Sequence, residues 1–302
     1  MQSKNQTRGI LMAAFTAILW GVLAIILKFS LTFIDALSII WVRFGVAFFL
    51  LLSHYVFRNR EDLKKTKTVF SMLAPLAGFM LAINYISYLK AVDLTGPGNV
   101  QILIQLSPLL LALSGFIIFK EVITKIQIAG FVMAALGFSL FYYDQLSHVL
   151  QNKVLYHTGN LWVLLAALSW VSFAICQKFL TRTWPPQLVN LFVYGVAFAC
   201  FTPFANFSHL AMLSPFQLGI LCLMGLNTLL AYGALGEALH NAPAFLVSII
   251  LALNPILTLV LLKLLKVLDL QWIPFETVSP IGYLGAGAVL TGAILVVKKR
   301  KK

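Results

Sequence analysis

The chain has little charge. Only 10% of its 302 residues are Asp, Glu, Lys or Arg, against about 25% in ordinary soluble domains. A soluble fold of this size needs a polar exterior, and 61% apolar residues cannot supply one. Cysteine is scarce too. Cys176, Cys200 and Cys222 all fall inside apolar runs, where they read as packing residues and not as a disulfide framework or a metal site. Catalytic signatures are missing: there is no H-E-x-x-H, no G-x-S-x-G, no P-loop and no pair of carboxylates inside an apolar run. The five histidines sit at run ends or in connecting segments. Nothing in the sequence calls for a cofactor or a metal, and ATP hydrolysis by this chain is excluded.

What is present is apolar sequence in span-length pieces. Crossing about 30 Å of hydrocarbon takes roughly 20 apolar residues as a helix. Ten such runs follow one another: 9–29, 36–57, 69–92, 99–119, 124–143, 159–180, 187–207, 216–239, 243–265 and 280–297. They are continuously apolar, without the alternation of barrel strands, and predict helices. Residues 1–8 form a short polar lead, and the run from Gly9 is long enough to stay as the first span. The fold class expected is an all-α polytopic membrane protein.

The net charge of +13 suggests nucleic acid at first sight, but its placement points to a lipid bilayer and no nucleic acid. With a cytoplasmic N-terminus, 16 of the 22 Lys and Arg face the cytoplasm, five face outward, and Arg43 lies within a span. Basic residues in short connections set orientation, so both termini are expected to be cytoplasmic, in a multi-pass cell (inner) membrane protein. The basic tail from Lys298 to Lys302 reads as a topology anchor.

The sequence also repeats itself. At an offset of 150, Ala17, Trp20, Ala24, Ile25, Lys28 and Phe29 of the first run match Ala167, Trp170, Ala174, Ile175, Lys178 and Phe179 of the sixth. At 147, Tyr85, Ala91, Val100, Ile102, Leu106, Pro108 and Leu110 match Tyr232, Ala238, Val247, Ile249, Leu253, Pro255 and Leu257. At 155, Gly130 and Gly137 match Gly285 and Gly292. A duplicated unit of five helices explains the order of these matches. Five is odd, so the second copy enters the membrane from the opposite side. Ten transmembrane helices as two inverted five-helix repeats, 9–143 and 159–298, is therefore the expected architecture, one used by secondary transporters.

These residues resemble the EamA branch of the drug/metabolite transporter superfamily. The resemblance rests on Trp20-Gly21 with Lys28, Arg43-Phe44, the run YLKAVDLTGPG from Tyr88, LSPL at 106–109 and Lys120-Glu121. In the second half it rests on Gly159, Trp170, Tyr232, Ala238-Leu239 and Leu253-Asn254-Pro255. One departure is the end of the ninth run, KLLK, where the family closes with Gly-Glu. The resemblance implies a carrier of a small-molecule substrate, an amino acid or related metabolite among the family's range, working by export or exchange. A small-solute channel and a membrane-embedded enzyme are the alternatives.

Candidate site residues follow from the cost of polarity in hydrocarbon. Arg43, about eight residues into its run, would cost roughly 2.5–3.5 kcal/mol at a span centre. It reads either as an anion contact in a cavity or as a structural residue bonded to carbonyls. Glu237, the only acid inside a run, reads as a proton relay or as an interfacial carboxylate facing a Lys or His240. Asn84, Gln101, Gln105, Asn227 and Asn254 each read singly as interhelical hydrogen-bonding groups, and as a set they outline a central polar cavity. Trp20, Trp170, Tyr85 and Tyr232 are packing aromatics whose occurrence in both halves adds them to the substrate-binding candidates. Pro108 and Pro255, in matching places of the fourth and ninth runs, predict paired kinks and candidate hinges.

Overall fold

The computed structural model describes residues 5–59, 61, 72–95, 100, 103–143, 156–267 and 279–297. Gln101, the Gly-Pro-Gly at 96–98 and the basic tail lie outside them. Among the described residues every regular element is a helix: α1 (Gln6–Ser30), α2 (Ala36–Arg58), α3 (Leu73–Thr95), α4 (Leu106–Ile117), α5 (Lys125–Phe141), α6 (Tyr156–Leu180), α7 (Pro186–Phe201), a 3₁₀ turn (Thr202–Phe204), α8 (Phe207–Ala211), α9 (Pro215–Asn241), α10 (Ala244–Leu251), α11 (Asn254–Val267) and α12 (Pro280–Val297). Seven of them are long and apolar enough to cross a membrane: α1, α2, α3, α6, α7 with its 3₁₀ extension, α9 and α12. Shorter apolar helices stand where the fourth, fifth and ninth runs were expected.

The starts are written in local chemistry. Asp35 accepts the Ser38 N–H at 2.9 Å to cap α2, and Thr124 with Gln127, like Ser214 with Gln217, forms a reciprocal capping box. Pro186 and Pro215 occupy first-turn positions, where the missing N–H costs nothing. Outward faces stay apolar: Leu11, Phe57, Ile117, Leu136, Leu161, Leu223, Leu284 and Ile294 are all exposed. Such a surface would drive association in water, and lipid accepts it.

The fourth and ninth runs carry matching bends. The chain makes a turn at Ile104–Gln105 before α4 begins, and another at Ala252–Leu253 between α10 and α11. Gln105 and Ala252 keep right-handed helical backbone angles, and the Ser107 and Leu253 N–H groups still reach the Ile104 and Ile250 carbonyls. Pro108 is the third residue of α4 and Pro255 the second of α11. A proline there cannot donate across the bend and fits the first turn of the segment that follows. Each is a local kink in a helical path.

Packing is systematic. α5 lies along α12, α3 along α6, α1 along α9 and α2 against α7, while α4 and α10 meet each other. Small residues allow the closest of these approaches. A Cβ added at Gly130 would sit 2.7 Å from the Gly292 carbonyl oxygen, and one at Gly137 would sit 2.8 Å from that of Gly285. Sequence order reverses across the contact, so α5 and α12 run antiparallel. The same reversal holds for α2 and α7: Gly45 abuts the Phe198 ring and Gly195 the Phe48 ring, each at 2.9 Å from an added Cβ.

One polar tie crosses this framework. Beyond α4 the chain passes through Lys120 at φ 53, a left-handed conformation unusual for a side-chain-bearing residue, and this turn brings Glu121 back over the start of α10. The Ala244 and Phe245 N–H groups donate to its two carboxylate oxygens at 2.7 and 3.3 Å. Lys178 of α6 pairs with the same carboxylate at 3.0 Å and donates to the Ala242 carbonyl at 2.8 Å. One carboxylate and one ammonium therefore bind the end of α9, the start of α10, the α4–α5 connection and the end of α6.

Two stability predictions follow from these contacts. Gly285→Ala should lower the thermal midpoint in detergent, costing about 1–3 kcal/mol as overpacking, because its Cβ would meet the Gly137 oxygen at 2.6 Å. Gly287→Ala, with nothing within 4 Å, is the neutral control. Glu121→Gln should cost about 3–5 kcal/mol by leaving Lys178 buried without its counter-charge, whereas replacing both residues with neutral side chains should recover part of the loss. Equal unfolding midpoints for wild type and Glu121→Gln would remove the ion pair from the framework.

Candidate functional site

The helical period sets Ile39, Arg43, Ala47 and Leu51 on one buried face of α2. Arg43 is 3% exposed. Its Nε donates to the Thr228 hydroxyl on α9 at 3.0 Å and its Nη2 to the Tyr85 hydroxyl on α3 at 3.3 Å. Thr228 directs its own proton to the Met224 carbonyl at 2.9 Å, which leaves its oxygen free to accept. The guanidinium also lies 5.7 Å from the Tyr85 ring centre, within the range of cation–π attraction.

The aromatic candidates gather beside it. The Tyr85 and Tyr232 hydroxyls are 3.1 Å apart. Trp20 meets Tyr232 edge-on at 5.7 Å and Trp170 at 6.2 Å. Phe44, Phe173, Tyr194 and Phe201 close around the group and are fully buried. Five of the sequence candidates, Arg43, Tyr85, Tyr232, Trp20 and Trp170, thus form one constellation built from α1, α2, α3, α6 and α9. Trp20 with Trp170 and Tyr85 with Tyr232 are the pairs matched between the two halves of the sequence.

The amides divide differently. Asn84 donates to the Ala166 carbonyl at 2.8 Å and Asn227 to the Leu19 carbonyl at 2.9 Å, so both tie helices together. Asn254 accepts from Thr258 at the start of α11. Gln105 sits at the first bend and, with Pro108, lines a separate cavity of about 380 Å³. Its walls come from α4, α5 and α6, from Ile249 of α10 and from Ala252 at the second bend, with Ser139, Tyr142 and Asn160 as further polar groups. Arg43 and the four paired aromatics do not line it, so the candidates occupy two regions and not one continuous polar cavity.

Glu237 stands apart from both. It pairs with Arg8 at 3.0 Å and accepts from Asn241 at 3.3 Å. This is the interfacial reading, with Arg8 as partner in place of a lysine or His240. His240 instead contacts the Thr181 carbonyl.

Several polar groups were not anticipated. Thr228 carries no charge to mark it. Gln177 and Asn190, both fully buried, bond at 2.7 Å, and Asn190 donates on to the Tyr232 carbonyl at 3.0 Å. The signal was available, since both are amides inside apolar runs like those singled out on other helices. Among the described residues no group of His, Cys, Asp and Glu is placed to hold a metal.

Comparison with known proteins places this geometry. The chain is 31% identical over 290 residues to the "Uncharacterized inner membrane transporter YhbE" of Escherichia coli (strain K12), covering 95% of this chain and 90% of the relative. It is 30% identical over 289 residues to an "Uncharacterized transporter" of Haemophilus influenzae, covering 95% and 94%. A solved crystal structure superposes with a TM-score of 0.74 at 16% identity, over 96% of this chain and 97% of that one, and shares the fold. The EamA-like transporter family matches twice in tandem, at residues 7–143 and 157–298. With those two matches spanning nearly its whole length, the chain belongs to the EamA-like transporter family of multi-pass membrane proteins.

Proposed function

We propose that the chain is a secondary transporter that exports or exchanges a small organic metabolite across the cell membrane. Its ten helical passes form two inverted units, 9–143 and 159–298, with both termini cytoplasmic. The observation that carries this reading is the pair of proline bends at Gln105 and Ala252–Leu253, in matching elements, beside one cavity. Proline-interrupted segments at equivalent places of two repeats are the sequence pointer to a carrier's midplane site.

The packing supports the inverted relation. Exchanging first-half helices for their second-half counterparts maps α3·α6 onto α9·α1 and leaves α2·α7, α5·α12 and α4·α10 unchanged. Contacts at single residues obey the same exchange. An added Cβ at Gly78 would meet Val196 at 2.7 Å, and one at Gly225 would meet Val46 at 2.5 Å. The Asn84–Ala166 bond has its counterpart in Thr16 donating to the Ala231 carbonyl at 3.2 Å, with the donor on the other helix.

Single cysteines at Asp144 and Lys302 in a cysteine-free variant test the orientation. An impermeant reagent on intact cells should label 144 and not 302, and the reverse result would overturn the inverted assignment. The bends are tested by Pro108→Ala and Pro255→Ala. Each restores a backbone donor and lets helix run straight through the bend. Expression should stay near normal while turnover falls, as for other gating elements, and the two variants should trap opposite facings, read by cysteine accessibility from each side. Wild-type transport in both would reduce the prolines to packing.

A further inference from the structure

Arg43 is a permanent cation in the interior of a membrane protein, and no described carboxylate neutralises it. It takes part in no ion pair among the described residues. The described carboxylates are all engaged or placed elsewhere: Asp35 caps α2, Asp93 pairs with Lys90, Glu121 with Lys178 and Glu237 with Arg8, and Glu61 lies beyond the end of α2. Its two partners, Thr228 and Tyr85, are neutral hydroxyls. They fix the plane of the guanidinium but cancel none of its charge, and Nη1 has no protein partner among the described residues. A buried charge without a counter-charge is costly, and a carboxylate meeting a guanidinium fork is the complement that relieves it.

We propose that Arg43 is the counter-charge for a net-anionic substrate, an organic monocarboxylate with an apolar body, and that the site discriminates against zwitterions. One guanidinium balances one negative charge. Trp20 and Tyr85 are half-buried, and with Trp170 and Tyr232 they form the aromatic group on the Arg43 side of the bundle. The same surroundings are wrong for an ammonium group, since no described carboxylate accompanies Arg43 to receive it. The inference names the substrate class of the proposed transporter and rests on that reading only for the statement that the bound anion is also carried.

The test uses the full chain in detergent at neutral pH and three matched series: an arylacetate, the corresponding amide and the corresponding α-amino acid, each with phenyl and indolyl bodies. Binding is read by thermal stabilisation and by quenching of tryptophan fluorescence. The acids should bind saturably, while amides and amino acids should bind at least about tenfold more weakly, one unit of the affinity scale. Arg43→Gln should weaken the acids about thirtyfold or more, the range for removing one partner of a buried charge pair, and leave the amides unchanged. Arg43→Lys should recover part of the acid binding. Tyr85→Phe, which keeps the charge, should keep the preference for acids. Equal binding of acid, amide and amino acid by wild type, or no binding of any acid, overturns the proposal whether or not the Arg43 variants fold. Flux in proteoliposomes separates the two readings. Acids that bind but are not carried support the anion site and count against transport. Carriage unaffected by Arg43→Gln leaves transport standing and overturns the anion site.

Discussion

Hydrocarbon offers a backbone nothing to bond with, and the rest of this structure is arranged around that constraint. A continuous helix satisfies its own amides, so most passes need only an apolar face. Helix ends are the exception, since each leaves donors and acceptors to be satisfied inside protein. At the α9–α10 connection the solution is explicit: Glu121 takes the Ala244 and Phe245 N–H groups, and Lys178 both neutralises the carboxylate and serves the Ala242 carbonyl at the end of α9. The left-handed turn at Lys120 makes this geometry possible. A motif that in sequence only marks the close of the fourth run is, in structure, the cap of the ninth.

The same constraint explains which parts of the fold were legible beforehand. Helix existence came from apolar run length, because lipid exposure demands it, and the glycine matches Gly130/Gly285 and Gly137/Gly292 turn out to sit in one antiparallel crossing. Trp20 with Trp170 and Tyr85 with Tyr232 stood out as rare residues repeated in register, and each pair meets in space. The bends at Pro108 and Pro255 were legible because a proline signals a missing donor. Glu121 is remote in sequence from the amides it caps at the start of α10, so its role was invisible. Thr228 was missed for a related reason: a threonine in an apolar run can always return its hydroxyl to its own helix, and this one does so while also accepting from Arg43.

Set against one another, the two halves agree in shape and differ in chemistry. Close-packed positions correspond: Gly45 with Gly195, Gly78 with Gly225, Phe48 with Phe198. The polar groups do not. At the same offsets Arg43 faces Val193, Thr228 faces Leu81, and the buried Gln177–Asn190 pair stands where the first half has Leu27 and Ile40. For a carrier this division has a physical rationale. Two equivalent facings need interfaces that repack with similar energies, and paired glycines and aromatics keep those interfaces alike. A single asymmetric charge cannot come from a symmetric rule, because its twin would put a second buried cation in the bilayer. In a carrier of this design, recognition would fall to residues that break the repeat, and Arg43, Thr228, Gln177 and Asn190 are buried examples. The symmetric contacts would then serve the change of facing, and the asymmetric ones the choice of what is held.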